Sequence, residues 1–229
     1  MDEPTDPFAD RPDRTDDLRS VLIEVATSVL QLVGSPEVAR QWERPAAIDG
    51  MSVGGLASHI VVALRVALVL LDQEKPSAAR IATPLEFFGD NRRDGTSVLE
   101  DDRARAIVAS AEDGATGGHA EVVNALAEVI AEVDAALGAH PSGDTIATRR
   151  LPDAVARLDD YLLTRIAEVV LHGDDLAYSV GVTWHPPVPA ADATIELLVD
   201  MARERIGDIE VLRALAREER AVPGAIRAL

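Results

Sequence analysis

Three side chains in this sequence have types and positions that could form a metal site. In the segment RIAEVVLHGDDLAYSVG (165–181), Glu168 and His172 lie four residues apart, so on a helix their side chains project together. A carboxylate oxygen and an imidazole nitrogen placed in this way can share one divalent ion. The spacing therefore predicts part of a metal site, which needs a third ligand from elsewhere in the chain.

His59 is the candidate for that third ligand. It lies between Leu56 and Ile60 on the apolar stripe of another predicted helix, and facing helices of a bundle can bring such residues together in the interior. Two histidines and one carboxylate would leave coordination positions open for water or substrate. That pattern is typical of catalytic sites rather than of closed structural ones.

Simpler interpretations exist for each of these residues. Glu168 and His172 could be an exposed pair worth about 0.2–0.5 kcal/mol, and His59 could be a core histidine with one hydrogen bond. The combination favours a metal, because burying Glu168 without compensation would cost several kcal/mol. One bound ion would offset the free-energy cost of burying all three side chains.

Asp175 lies one turn beyond His172 and is the candidate catalytic residue. It could orient a metal ligand or hydrogen-bond to a metal-bound water. The alternative is a solvated charge near the end of the helix.

The composition of the whole chain limits its function class. The 229 residues carry a net charge of −18, and the sequence contains no cysteine. An acidic surface repels phosphate backbones and anionic lipids, so we expect neither nucleic acid nor membrane as a partner. Without cysteine, any thiol chemistry would require a thiol from a small molecule.

The ends and the apolar runs of the sequence indicate a cytoplasmic protein. Residues 1–14 are rich in Asp and Pro and predict a disordered acidic tail without the features of a signal peptide. The longest apolar run is interrupted by Arg65 and is too short to span a bilayer.

Four long helices can be predicted from apolar periodicity and from end signals. They cover residues 15–33, 52–73, 119–137 and 152–180, the last beginning at Pro152 and ending at Gly181. A long loop is expected over 75–97, and no strand is predicted. The sequence therefore predicts an all-α, up-down-up-down four-helix bundle over 15–181. A helical C-terminal extension, packed on the bundle, is expected over 182–229, with helices near 190–205 and 208–218.

Two segments together resemble a known family. WERPAAIDGMSVGGLASHI (42–60) and RIAEVVLHGDDLAYSVG resemble the mycothiol-dependent maleylpyruvate isomerase N-terminal domain family, which belongs to the DinB-like metal-binding four-helix bundles. The matching positions are Trp42, Ser52, Val53, His59, Arg165, Glu168, His172 and Asp175. The resemblance covers roughly residues 16–181.

This resemblance implies a chemistry. In the family, the corresponding His, Glu and His bind a divalent metal, so it implies metal ligands at His59, Glu168 and His172. Zinc is the expected ion, although nickel, iron or manganese could occupy the same ligands. Many members are thought to use mycothiol, an actinobacterial thiol, as a cosubstrate. The resemblance thus implies a transferase or isomerase that attacks a small electrophile through a metal-activated thiolate.

Two other functions remain open from the sequence. One is a metal-dependent hydrolase that uses metal-bound water instead of a thiol. The other is a non-catalytic helical binding protein in which the metal is a structural clip. For the enzyme, the expected partners are a small-molecule thiol and an electrophilic substrate, and a homodimer is possible.

Overall fold

The computed structural model of the chain describes residues 15–76, 80–87, 102–140, 143–148 and 151–220, together with residues 222, 224 and 226. The predicted acidic tail 1–14 and part of the predicted loop 75–97 lie outside the described residues. The α-helices are α1 Thr15–Val33, α2 Pro36–Arg40, α3 Val53–Leu71, α4 Pro84–Phe87, α5 Asp102–Gly114, α6 His119–Gly138, α7 Leu158–Val180, α8 Val188–Ile206 and α9 Asp208–Ala216. The strands are β1 Arg80–Ile81, β2 Thr145–Ala147 and β3 Ala154–Arg157, and a short 3-10 turn covers Glu218–Arg220.

Helices α1, α3, α6 and α7 form a four-helix bundle. Helix α3 packs against α6 and α7, and α1 packs against the same two helices. Helices α1 and α3 therefore occupy opposite corners of the bundle. This arrangement confirms the predicted all-α class and the four-helix bundle.

The helix directions differ from the simple alternation expected from sequence. The imidazole Nε2 of His119 donates to the carbonyl oxygen of Val33 over 2.7 Å, and Arg19 donates to the carbonyl oxygen of Leu137 over 2.8 Å. Helix α6 therefore starts where α1 ends and runs antiparallel to it. Helix α3 starts at this same end, so α3 and α6 run in the same direction. They can do so because α5, which packs on α3, returns the chain to that end before α6 begins.

A small three-stranded sheet closes the other end of the bundle. Its order is β1-β3-β2, with β1 parallel and β2 antiparallel to β3. The expectation that the chain lacks strands was wrong, and so was the helix start at Pro152. The chain instead forms β3 from Ala154 to Arg157, and helix α7 begins only at Leu158.

The core lies between the four bundle helices and consists of aliphatic side chains. Trp42, in the connector before α3, covers one end of this core and is 8% exposed. Its indole lies directly on Gly54, so closely that a methyl group there would overlap the ring. Trp42 also meets the His119 ring edge-on, with 5.4 Å between the ring centroids. The fully buried side chains with the largest volume include Leu22, Leu56, Ile60, Leu126, Leu162 and Ile166.

The C-terminal helices pack on the outside of α7. Helix α8 lies along α7 and also touches α1, while α9 packs on α8. Trp184, in the linker before α8, lies against Gly173, and its indole N–H donates to Ser28 Oγ over 3.1 Å. The linker therefore joins α1 and α7.

Helix α3 is long and apolar enough to cross a membrane by length and composition, with a mean hydropathy of 2.0. However, 67% of this segment is buried inside the fold. That burial is typical of the core helix of a soluble protein.

Candidate metal centre

Helix α7 positions two of the three predicted ligands. Most of its buried residues are apolar and anchor the helix in the core. It ends at Gly181, whose φ of 73° is left-handed and suits a residue without a side chain. On adjacent turns of this fixed helix, Glu168 Oε2 and His172 Nε2 lie 3.1 Å apart.

Helix α3 brings the third predicted ligand to the same place. The side chain of Ser52 caps this helix by accepting a hydrogen bond from the Gly55 amide over 2.9 Å. His59 lies beside α7, and its ring meets that of His172 at 79° with 4.9 Å between centroids. One potential ligand atom from each of His59, Glu168 and His172 lies within 4.8 Å of the other two. Among the described residues, these three form the group of histidines and carboxylates that lie close enough together to hold a metal ion.

The surroundings of the three side chains give them different charges in the metal-free protein. Burial by itself raises the pKa of Glu168, but its hydrogen bond to His172 and the charge of Arg165 lower it to about 2. Burial by itself lowers the pKa of His172, but the carboxylates of Asp175 and Glu168 raise it to about 9. Burial and the nearby His172 cation lower the pKa of His59 to about 4. At neutral pH the group is therefore an anion, a cation and a neutral imidazole.

Asp175 lies where it can orient His172. Its Oδ2 accepts a hydrogen bond from His172 Nδ1 over 3.3 Å. This contact leaves Nε2, the nitrogen on the Glu168 side, as the ligand atom. The Asp175 side chain is 38% exposed, compared with 16% for Glu168 and 19% for His172. The geometry matches the predicted orienting contact, and the exposure also fits the alternative of a partly solvated charge.

The three side chains fit a divalent ion by chemistry and by distance. Two imidazoles and one carboxylate are a donor set that zinc and similar ions accept. Ligand atoms around a tetrahedral zinc lie about 3.3–3.4 Å apart, as follows from bond lengths of about 2.0–2.1 Å. The distance of 3.1 Å between Glu168 Oε2 and His172 Nε2 is already close to this value. The ligand atom of His59 lies within 4.8 Å of the other two, so an adjustment of side-chain angles would bring the three atoms to coordination distance.

Arg165 has a structural role at the centre that sequence reasoning did not assign. Its Nη1 donates to the carbonyl oxygen of Ala63 on α3 over 3.3 Å, and its Nη2 lies 3.8 Å from Glu168 Oε1. Its guanidinium carbon also lies 5.0 Å from the centroid of the Tyr161 ring. Arg165 therefore joins the two helices that carry the predicted ligands. The sequence places Arg165 on the same helix face as Glu168, which was the signal available for this role. Its partner Ala63 on α3 is 102 residues away in the chain, so the contact itself is not visible in the sequence.

The other histidines lie apart from this group. His119 is half-buried at the start of α6 and is hydrogen-bonded to the carbonyl oxygen of Val33. His140 contacts Asp144 over 2.8 Å, and His185 is exposed in the linker before α8.

Comparison with known proteins identifies the family. No curated protein and no solved structure matches the chain. The family model of the mycothiol maleylpyruvate isomerase N-terminal domain matches residues 22–177, a range that includes His59, Glu168, His172 and Asp175. The chain therefore belongs to the mycothiol maleylpyruvate isomerase N-terminal domain family.

Proposed function

We propose that this protein is a metal-dependent enzyme that uses mycothiol to attack a small electrophilic substrate, as a transferase or an isomerase. The observation that carries the proposal is the placement of His59, Glu168 and His172 on facing helices, with their ligand atoms within 4.8 Å of one another. The family supplies the link to mycothiol. We propose zinc as the ion and the three side chains as its ligands.

Each residue of the proposed site would have a separate role. His59, Glu168 and His172 would hold the ion through two imidazole nitrogens and one carboxylate oxygen. Asp175 would hold the His172 ring in the tautomer that presents Nε2, through its contact with Nδ1. Arg165 would fix α3 against α7 one turn away from His59. The ion would supply acidification of a thiol at neutral pH, which makes that thiol a nucleophile.

The geometry supports an open site more than a structural clip. Structural zinc sites use four protein ligands, whereas three converge among the described residues. The Glu168 and His172 side chains are 16% and 19% exposed, so solvent reaches the group. The surrounding core is packed with aliphatic side chains without any contribution from an ion.

Elemental analysis of purified protein beside a His172→Ala variant tests the foundation of this proposal. We expect about one divalent ion per chain in the wild type and loss of most of it in the variant. A matched His185→Ala variant changes an exposed histidine outside the group and should retain the ion. Absence of metal in reconstituted wild type would contradict the proposal.

The identity of the nucleophile needs a second experiment. Metal-loaded protein is incubated with electrophiles and either mycothiol or no thiol, and product formation is followed by mass spectrometry. Thiol-dependent consumption that disappears in His172→Ala supports the proposal. Turnover of esters or amides without thiol would instead establish the metal-dependent hydrolase.

A further inference from the structure

Helix α9 exposes a row of aliphatic side chains on the outside of the fold. Ile209, Leu212 and Leu215 are 58%, 60% and 63% exposed, and their spacing of three residues keeps them on one side of the helix. The helix buries Val211, which is 4% exposed, and packs on α8. We call Ile209, Leu212 and Leu215 the α9 face. A contiguous apolar row of this kind indicates an interaction surface, unlike a single exposed aliphatic residue.

The α9 face lies in a stretch of the chain without net charge. Residues 203–220 contain five arginines and five acidic residues, whereas the whole chain has a net charge of −18. The remaining residues therefore carry the entire excess of negative charge, which opposes contact between two copies of the protein. A neutral stretch with exposed aliphatic side chains avoids this repulsion, so it is a favourable place for two copies to meet.

Ion pairs within this stretch argue against a partner of high charge. Arg203 Nε lies 2.8 Å from Asp208 Oδ1, and Arg213 pairs with Glu210 on the same helix. These arginines neutralise acids of their own chain, so they do not form a basic patch for nucleic acid or an anionic lipid surface. The aliphatic row is therefore the feature that a partner would contact.

The α9 face is complementary to itself when two copies of the helix run in opposite directions. Ile209 and Leu215 each lie three residues from Leu212, so an antiparallel pair centred on Leu212 brings Ile209 level with Leu215 of the second copy. Asp208 and Arg217, four and five residues from Leu212, come nearly level as well. A two-fold axis repeats each of these contacts, apolar with apolar and acid with base.

We propose that the protein forms a symmetric dimer in which the α9 faces of two copies pack antiparallel about Leu212. Three side chains from each copy, each about three-fifths exposed, present roughly 400–600 Å² of apolar surface in total. Contacts that bury less than about 1,200 Å² are typically weak and reversible, so we expect a dissociation constant of roughly 10–100 μM. The inference is independent of the proposed function, because neither a metal nor a thiol takes part in the contact.

Sedimentation velocity between about 1 and 300 μM measures the association. The wild type should change from a monomer of 24.4 kDa to mostly dimer over this range. Leu212→Gln with Leu215→Gln removes the aliphatic contact and keeps helix propensity, since Gln and Leu are both good helix formers. This double variant should raise the dissociation constant at least about hundredfold and stay mostly monomeric.

The matched control is Val69→Gln with Val188→Gln, at positions of α3 and α8 that are 57% and 71% exposed. This control should dimerise like the wild type. Far-UV circular dichroism should show the same helix content for all three proteins, since every substituted side chain is exposed.

Single cysteines test the direction of the two helices, because the chain itself contains no cysteine. Under oxidation with diamide, Leu212→Cys should form a disulfide-linked dimer. Ile209→Cys should cross-link with Leu215→Cys in an equimolar mixture. It should cross-link little with itself, because the two copies of position 209 lie about 9 Å apart along antiparallel helices, beyond the reach of a disulfide.

Three results would overturn the proposal. A wild type that stays monomeric at about 300 μM would exclude the dimer and leave the α9 face to a different protein. An unchanged dissociation constant in the variant with both leucines replaced, or loss of the dimer in the control, would place the contact elsewhere on the molecule. Self-cross-linking of Ile209→Cys as readily as with Leu215→Cys would exclude the antiparallel arrangement.

Discussion

His172 lies between two carboxylates, and this position determines how pH affects metal binding. In the metal-free protein, its Nε2 faces Glu168 and its Nδ1 faces Asp175, which raises its pKa to about 9. A metal ion binds only the neutral imidazole. Below pH 9 the ion must therefore displace a proton from His172.

The first prediction is that metal binding releases about one proton per ion at pH 6. His59, with a pKa of about 4, and Glu168, with a pKa of about 2, are already deprotonated at this pH. The apparent affinity should therefore rise about tenfold per pH unit between pH 6 and 9. Calorimetry at pH 6 in two buffers with different ionisation enthalpies gives the proton count.

A His59→Gln variant is the control for this assignment. It should bind metal more weakly but still release about one proton, because the proton comes from His172. A count near zero in the wild type would show that His172 is neutral before the ion binds.

At the scale of single elements, the N-terminus of α3 depends on a residue from another helix. The Oε1 and Oε2 atoms of Glu112, on α5, accept hydrogen bonds from the backbone amide and the hydroxyl of Ser52, over 2.6 Å and 3.0 Å. A carboxylate is favourable at this positive end of a helix. Gly55 makes the approach possible, since a side chain there would overlap the Glu112 carboxylate.

The second prediction concerns this contact. Glu112→Ala removes two hydrogen bonds and the charge near the helix end, and should lower the free energy of unfolding by about 1–2 kcal/mol. Glu112→Gln keeps one acceptor oxygen and should lose about half as much. Urea denaturation followed by circular dichroism measures both variants.

Glu128→Ala supplies the control, because Glu128 is an exposed acid on α6 and its loss should change stability by less than about 0.5 kcal/mol. Equal stabilities of Glu112→Ala and Glu128→Ala would show that the contact from α5 does not stabilise α3.

The long helices and the Glu168–His172 pair were predictable because their signals are local. Apolar periodicity and end residues such as Ser52 and Gly181 mark the helices, and a spacing of four joins Glu168 with His172. The sheet was not predictable in this way. Its strands have two to four residues, and β1 pairs Arg80 with Ala154, far along the chain. The Glu112–Ser52 contact was missed for the same reason, since it spans 60 residues.

For the whole molecule, the core and the candidate metal centre would be separate sources of stability. Buried aliphatic side chains from α1, α3, α6 and α7 form one continuous cluster without an ion. Metal binding should therefore add to the stability of a bundle that is already folded. The added free energy is about 2.7 kcal/mol when the free ion is at 100 times its dissociation constant.

The third prediction follows for metal removal. A chelator should lower the melting temperature by about 5–10 °C, the shift that this free energy gives in a protein of this size, while the helical circular dichroism at 25 °C stays unchanged. His172→Ala should melt at the temperature of chelated wild type and should not respond to the chelator. Loss of helix on chelation would instead indicate a structural clip.

The division of the proposed ligands between two helices has a consequence for how the protein would acquire an ion during synthesis. Glu168 and His172 become neighbours as soon as α7 is helical, but His59 joins them only when α3 docks against α7, held by the Arg165–Ala63 hydrogen bond. A nascent or partly unfolded chain offers at most a two-atom chelate, which binds metal weakly. Tight binding of an ion would thus follow the docking of α3 against α7, and the metal content of a preparation would measure the fraction of molecules in which these helices have docked.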